Sequence, residues 1–247
     1  MLASFAGSFL EFLPVVLPRW IGAWLIAFLA LVYSFSWLKP RVRRRAFRLD
    51  DKVRKWSKEL RYRGLDTPDE RKKLTWFFRF WTNFSCSPAL AAFSILLPFW
   101  RYCMTSPPGM DDQLVPYKIA ILHCWMLPGF CFSGGMLQSF LLKRIFRRLR
   151  PPREMGAFGH KLKDASFPSG HSLTSLCFWS MVVVSLSATD APAYAIAAAA
   201  AWSVWVVACT GMSRIYLGVH FPSDVVGGYI IGAVWSVCCY VALRPLM

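Results

Sequence analysis

Residues 213–224 read Ser-Arg-Ile-Tyr-Leu-Gly-Val-His-Phe-Pro-Ser-Asp and set an arginine, a histidine and an aspartate between two long apolar runs. Ionisable groups at a membrane boundary pair with each other or mark a functional site. Asp224 follows His220 closely enough for its carboxylate to accept one ring N–H and leave the other nitrogen free and basic. An imidazole oriented in this way acts as a nucleophile or a base. The stretch Phe167-Pro168-Ser169-Gly170-His171 ends a polar loop just before an apolar run. Its Ser169 hydroxyl and Gly170 N–H are thereby expected at a helix N-terminus, which is a ready anion site. Lys143 and the Arg150-Pro151 pair close an earlier apolar segment. With Arg214 they make three fixed cations for one anion.

Taken together, Lys143-x6-Arg150-Pro151, Pro168-Ser169-Gly170-His171 and Ser213-Arg214-x5-His220-x3-Asp224 resemble the type 2 phosphatidic acid phosphatase family, membrane lipid phosphatases that share a pocket with vanadium haloperoxidases. All three blocks are complete and in the family's order. The resemblance covers the stretch from Lys143 to Asp224 and says little about the first hundred residues. It implies a metal-independent phosphatase acting on a lipid phosphate monoester or diphosphate. Lys143, Arg150, Arg214, the Ser169 hydroxyl and the Gly170 N–H are expected to hold the phosphoryl oxygens. His220 would attack to give a phosphohistidine, with Asp224 fixing its tautomer, and His171 would protonate the leaving oxygen and then activate water. No metal or cofactor is expected, since a Mg2+ site would show clustered carboxylates near the phosphate pocket. Asp164 and Asp224 hardly form one. For Lys143 or Arg150 alone, a structural ion pair at a helix end is the competing reading. The rivals for the whole chain are a phosphotransferase in which an alcohol replaces water, and a non-catalytic lipid-binding scaffold. Phosphatidate, phosphatidylglycerophosphate, a sphingoid phosphate, lipid A phosphate or a polyprenyl diphosphate all fit the pattern as substrate.

At 247 residues, 56% hydrophobic and a mean hydropathy of +0.40, the chain is too apolar for an ordinary soluble domain and reads as one membrane domain over 1–247. Its formal charge of +16 comes from basic residues clustered beside apolar segments, which matches anionic lipid headgroups better than nucleic acid. The eight cysteines show no C-x-x-C pair and read as small buried hydrophobes, with neither a disulfide framework nor a zinc site.

The elements that must position these residues form an all-α, six-span transmembrane bundle, with spans expected over 19–38, 76–104, 117–142, 172–187, 193–212 and 223–243. Glu11, Pro14 and Pro18 break the apolar opening to Leu17, so that stretch reads as interfacial or loosely ordered. A basic amphipathic helix over 41–63, with an apolar stripe of Val42, Ala46, Leu49, Val53, Trp56 and Leu60, is expected to lie on anionic headgroups. Thr67-Pro68-Asp69-Glu70 is a helix start, and Pro128-Gly129 a kink. Asp111-Asp112 reads as a solvated turn and His160 as a solvated loop residue. Gly228 and Gly232 give the last span a face for close helix contact. With six spans, all three motif blocks emerge on one face. All of the 29 basic residues except Arg19, Arg101, Lys118 and Arg244 lie towards that face. The positive-inside tendency makes it cytoplasmic.

Overall fold

The computed structural model describes residues 2–36, 49–53, 55–56, 58–59, 68–104, 115–151 and 164–246, and the regular structure among them is entirely helical. Seven long helices follow in order: α1 (Leu2–Ser36), α2 (Pro68–Phe84), α3 (Ser87–Met104), α4 (Val115–Phe146), α5 (Gly170–Ser187), α6 (Ala193–Tyr216) and α7 (Pro222–Leu243), with a short 3-10 turn at Arg244–Leu246. Four segments are long and apolar enough to cross a membrane: Leu13–Ser34, Gly170–Ser187, Ala193–Tyr216 and Pro222–Leu243. The bent pair α2 and α3 makes a fifth if counted as one span.

Two expectations change here. The span read over 76–104 is two helices, bent by 52° at Ser85–Cys86. Pro88 is the reason, because it has no N–H to give the Phe84 carbonyl and suits the first turn of a new helix. The opening stretch is not loose: α1 runs through Pro14 and Pro18 without a break. The helix expected over 117–142 is α4, which continues through Pro128 but is not among the four apolar segments. Pro128 frees the Cys124 carbonyl, and the Ser185 hydroxyl of α5 donates to it at 2.6 Å. That is how a proline is tolerated in apolar surroundings. The amphipathic helix over 41–63 lies largely outside the described residues, as do Asp111, Asp112 and His160. Within it, residues 49–53 are helical.

α5 is the central helix, packed against α4, α6 and α7. One apolar cluster joins α1, α4, α5 and α7 through Trp24, Leu127, Leu173, Ile231 and Trp235. A second joins α2, α3, α4, α5 and α6 through Trp81, Leu90, Phe132, Phe178 and Val206. Three indoles fix α4 between α1 and α7. Trp20 donates to the Phe130 carbonyl at 2.9 Å, Trp24 to Gly134 at 3.0 Å and Trp235 to Cys131 at 2.7 Å. Large apolar side chains such as Ile26, Leu29, Val204 and Val237 face outward, as a bilayer requires.

The glycines of α7 set how closely it approaches the end of the bundle where the motif blocks meet. A Cβ on Gly228 would stand 2.7 Å from the Ser169 carbonyl oxygen, and one on Gly232 would stand 3.0 Å from that of Leu173. Backbone atoms cannot yield as a flexible side chain does, so Gly228→Ala should destabilise the fold by about 1–3 kcal/mol. Gly22→Ala meets nothing within 4 Å and should leave the melting temperature in detergent unchanged. Equal melting of the two variants would contradict this packing.

Candidate active site

Four helix ends build the site. α4 and α6 finish at it, each with a cation in the last turn: Lys143 on α4 and Arg214 on α6. The C-terminal ends of helices favour positive charge. α5 and α7 begin at it, Ser169 being the N-cap of α5 and Gly170 its first residue. Arg147, at φ 45°, turns the chain away from α4, and Arg148 to Pro151 then run without regular structure. The N–H of Ser166 donates to the Arg148 carbonyl at 2.8 Å, tying the first block to the approach of the second. The Phe167–Pro168 peptide is cis. After α6 the chain reverses at Gly218, whose φ of 69° suits the residue that ends a helix. The N–H groups of Val219 and His220 then both reach back to the Arg214 carbonyl.

His220 is buried between an acid and a cation. Its Nδ1 stands 3.5 Å from Asp224 Oδ2 and 3.4 Å from the Ser166 hydroxyl, while its Nε2 stands 3.2 Å from Arg150 Nη1. Only the tautomer with hydrogen on Nδ1 suits both neighbours, since a guanidinium can only donate. The lone pair of Nε2 therefore points at the cations. Asp224 is fully buried. Its Oδ2 accepts the Ser166 hydroxyl at 2.5 Å and the Phe221 N–H at 2.9 Å, and its Oδ1 accepts Arg148 Nη1 at 2.7 Å.

Arg150 also donates to the Val219 carbonyl at 2.9 Å and to Asp164 Oδ1 at 2.8 Å, and Lys143 is paired with Asp164 Oδ2. A carboxylate thus stands on two of the three cations. Burial on its own would raise the Asp164 carboxyl, but Lys143 and Arg150 outweigh it and bring it down to about 2. Arg214 is 7% exposed and reaches Thr82 of α2 at 3.5 Å, while its Nε has no hydrogen-bond partner among the described residues. His171, in the first turn of α5, feels the charges of Arg214, His220, Lys143 and Arg150. The Lys143 ammonium lies 4.0 Å from where a Cβ on Gly170 would stand. Ser169 is fully buried, and its hydroxyl oxygen accepts from Ser172 at 3.0 Å, leaving its own proton to donate.

The structure therefore brings together Lys143, Arg150, Ser169, Gly170, His171, Arg214, His220 and Asp224, the eight positions read from the sequence. It adds Ser166, Arg148 and Asp50, which sequence reasoning missed, and gives Asp164 a partner role. Ser166 adjoins the second block and Arg148 lies inside the first, but a serine and one arginine among several carry no distinctive spacing signal.

A helical membrane bundle with a cluster of cations and a histidine–aspartate pair at one end defines a class of protein. A sequence model of the PAP2 superfamily matches residues 123–246, half of the chain, and the chain belongs to that superfamily. It is 36% identical over 166 residues to the lipid A 1-phosphatase of Rhizobium etli, covering 63% of this chain and 65% of that protein. To the phosphatidylglycerophosphatase B of Bacillus subtilis it is 34% identical over 108 residues, covering 41% and 49%. To the lipid A 1-phosphatase of Rhizobium johnstonii it is 37% identical over 113 residues, covering 42% and 41%. The matches thus span less than two thirds of each relative. The crystal structure of a transmembrane PAP2 type phosphatidylglycerolphosphate phosphatase from Bacillus subtilis shares the fold at a TM-score of 0.64 and 20% identity, over 93% of this chain and 98% of that one.

Burial lowers the His220 ring, the Asp224 contact raises it, and the charges of Arg150 and Arg214 lower it again, to about 4 against an ordinary 6.5. The ring is therefore neutral at pH 5 and above and gains its proton only as pH falls through about 4. A histidine NMR titration should find that midpoint, and Arg150→Ala should move it upward by removing one lowering charge. A wild-type midpoint at or above the ordinary value would contradict the burial and the cation placement.

Proposed function

We propose that this protein is a membrane lipid phosphatase that hydrolyses a lipid phosphate monoester or diphosphate through a phosphohistidine. The observation that carries the reading is the His220 geometry: a neutral, acid-anchored imidazole whose unprotonated nitrogen faces Arg150 at 3.2 Å, beside Lys143 and Arg214. A phosphate ester resists attack because its charge repels nucleophiles, and three fixed cations in a partly dry site offset that repulsion as charge develops. His220 Nε2 attacks phosphorus in line, and the P–O bond to the lipid breaks. His171 gives its proton to the leaving oxygen. A water deprotonated by His171 then attacks the phosphohistidine, releasing phosphate and restoring the ring. The names of the relatives support a lipid phosphate as substrate, with lipid A 1-phosphate and phosphatidylglycerophosphate as the first two to try.

The lipid tail stays in the bilayer while the head enters the pocket. Leu49 and Trp56, from the stripe expected to lie on anionic headgroups, are 61% and 60% exposed, which supports that surface contact. The bias of lysine and arginine towards the pocket end supports a cytoplasmic face for it.

Phosphate release across a panel of these lipids, with magnesium chelated, tests the reading. His220→Ala and His171→Ala should each abolish release while still inserting into membranes; near-normal turnover in both would overturn it. Free phosphate from the purified enzyme separates hydrolysis from transfer to an alcohol.

Asp164 competes with substrate for Lys143 and Arg150. Its side chain is 48% exposed, so the pairing is of the weak, solvent-screened kind, worth up to about 1 kcal/mol. Asp164→Asn should accordingly tighten inhibition by inorganic phosphate by up to about fivefold. Weaker inhibition in this variant would instead make Asp164 an organiser of the cations.

A further inference from the structure

We infer that Asp50 and Arg148 are positioning residues for the His220–Asp224 pair, so that the segment around residue 50 is part of the working site although it lies far from the motif blocks in sequence. The inference rests on the phosphohistidine reading above. Arg148 bridges two buried carboxylates: its Nη1 donates to Asp224 Oδ1 and its Nη2 to Asp50 Oδ2, both at 2.7 Å. Asp50 is 1% exposed. A carboxylate buried that far is retained only when its charge is paired and hydrogen-bonded. Asp50 meets the condition with three donors, since it also accepts the Ser223 N–H at 2.8 Å and the Ser223 hydroxyl at 2.6 Å. Ser223 follows Pro222 at the start of α7, so Asp50 sits on the N-terminus of the helix that carries Asp224, where the helix dipole favours negative charge.

The geometry assigns the two oxygens of Asp224 to different tasks. Arg148 takes Oδ1, which leaves Oδ2 to face His220 Nδ1. The guanidinium is itself held 4.2 Å over the Phe221 ring and donates to the Ser223 hydroxyl at 2.6 Å. Its plane, and with it the plane of the Asp224 carboxylate, is fixed from several sides. The electrostatic effect follows from sharing. Arg148 divided between two carboxylates neutralises Asp224 only in part, and the remainder stabilises the imidazolium character that His220 acquires when Nε2 takes a phosphoryl group. Among the described residues, the charged groups facing His220 are Asp224, Arg150, Arg214 and His171. Those facing Asp224 are Arg148 and His220.

Removing either partner should therefore change the histidine in opposite directions. In Arg148→Gln, Asp224 keeps its full negative charge for His220 and the ring midpoint rises. In Asp50→Asn, a negative charge is lost from the network, a larger share of Arg148 acts on Asp224 and the midpoint falls. The test uses the full chain in detergent micelles, with the His220 resonance assigned by its loss in His220→Gln. Alongside the opposed shifts, kcat should drop about 10- to 100-fold in each variant, as for other partners that orient a working histidine, with KM little changed. Asp50→Glu, which keeps the charge, should recover part of the rate. A folded Asp50→Asn with wild-type kcat, or a midpoint that moves in neither variant, overturns the inference. If Asp50→Asn does not purify as a folded protein, Arg148→Lys decides, since one ammonium cannot span both carboxylates: kcat falls at constant KM, or the inference is wrong. A wild-type chain that released no phosphate from any lipid would sink the phosphatase reading, while the titration shifts would still decide this one.

Discussion

One buried carboxylate organises this molecule. Asp224 has no exposed surface, yet it is accommodated because four groups from three places in the chain converge on it: the Ser166 hydroxyl, the Phe221 N–H, Arg148 and His220. A charge in such a place is tolerated only if each of its lone pairs is used. Satisfying it brings the end of the first motif block, the approach to the second and the start of α7 to one point. The backbone adds a further tie, since the Asp224 carbonyl accepts the Ser169 N–H at 3.0 Å. The N-terminal ends of α5 and α7 are thereby fastened together, with the glycines of α7 allowing the approach.

Around that carboxylate the site carries more positive charge than its own acids neutralise. Lys143, Arg150 and Arg214 repel one another, and burial adds to the strain of keeping them ionised. Asp164 offsets part of this for Lys143 and Arg150, while the Nε of Arg214 has no partner among the described residues. Such an arrangement is preorganised: its charges and dipoles are held in place by the fold itself. The helix directions reinforce the pattern, with cations at the ends of α4 and α6 and N–H groups at the starts of α5 and α7.

The eight positions that meet at these helix ends were legible in the sequence because they complete the three motif blocks on which its family resemblance rests, and because ionisable residues such as Arg214, His220 and Asp224 are costly beside apolar runs. The helices that hold them were legible for a related reason: an apolar run long enough to cross a bilayer leaves few alternatives. What escaped was settled by tertiary contact. Pro88 lies in an apolar stretch, and the chain bends by 52° just ahead of it, where a proline cannot give an N–H to the Phe84 carbonyl. Pro14 and Pro18 looked like breaks, although apolar surroundings favour a continuous helix even there. Arg148 sat among several arginines that read equally well as headgroup contacts, and Asp50 was one acid in a basic stretch. Nothing in their local pattern says that each is buried against the other.

The matched superfamily region begins at residue 123, and all but one of the side chains of the charged network belong to it. It is nevertheless not a separable module. The indoles of Trp20 and Trp24 are hydrogen-bonded into α4, Thr82 of α2 lies against Ser213 at 2.6 Å, and Asp50 closes the network at the start of α7. Cutting the chain ahead of α4 would therefore strip contacts from α4, α6 and α7 at once. A grafted or minimised version of this protein has to carry its first hundred residues along, however little their sequence reveals of the task they perform.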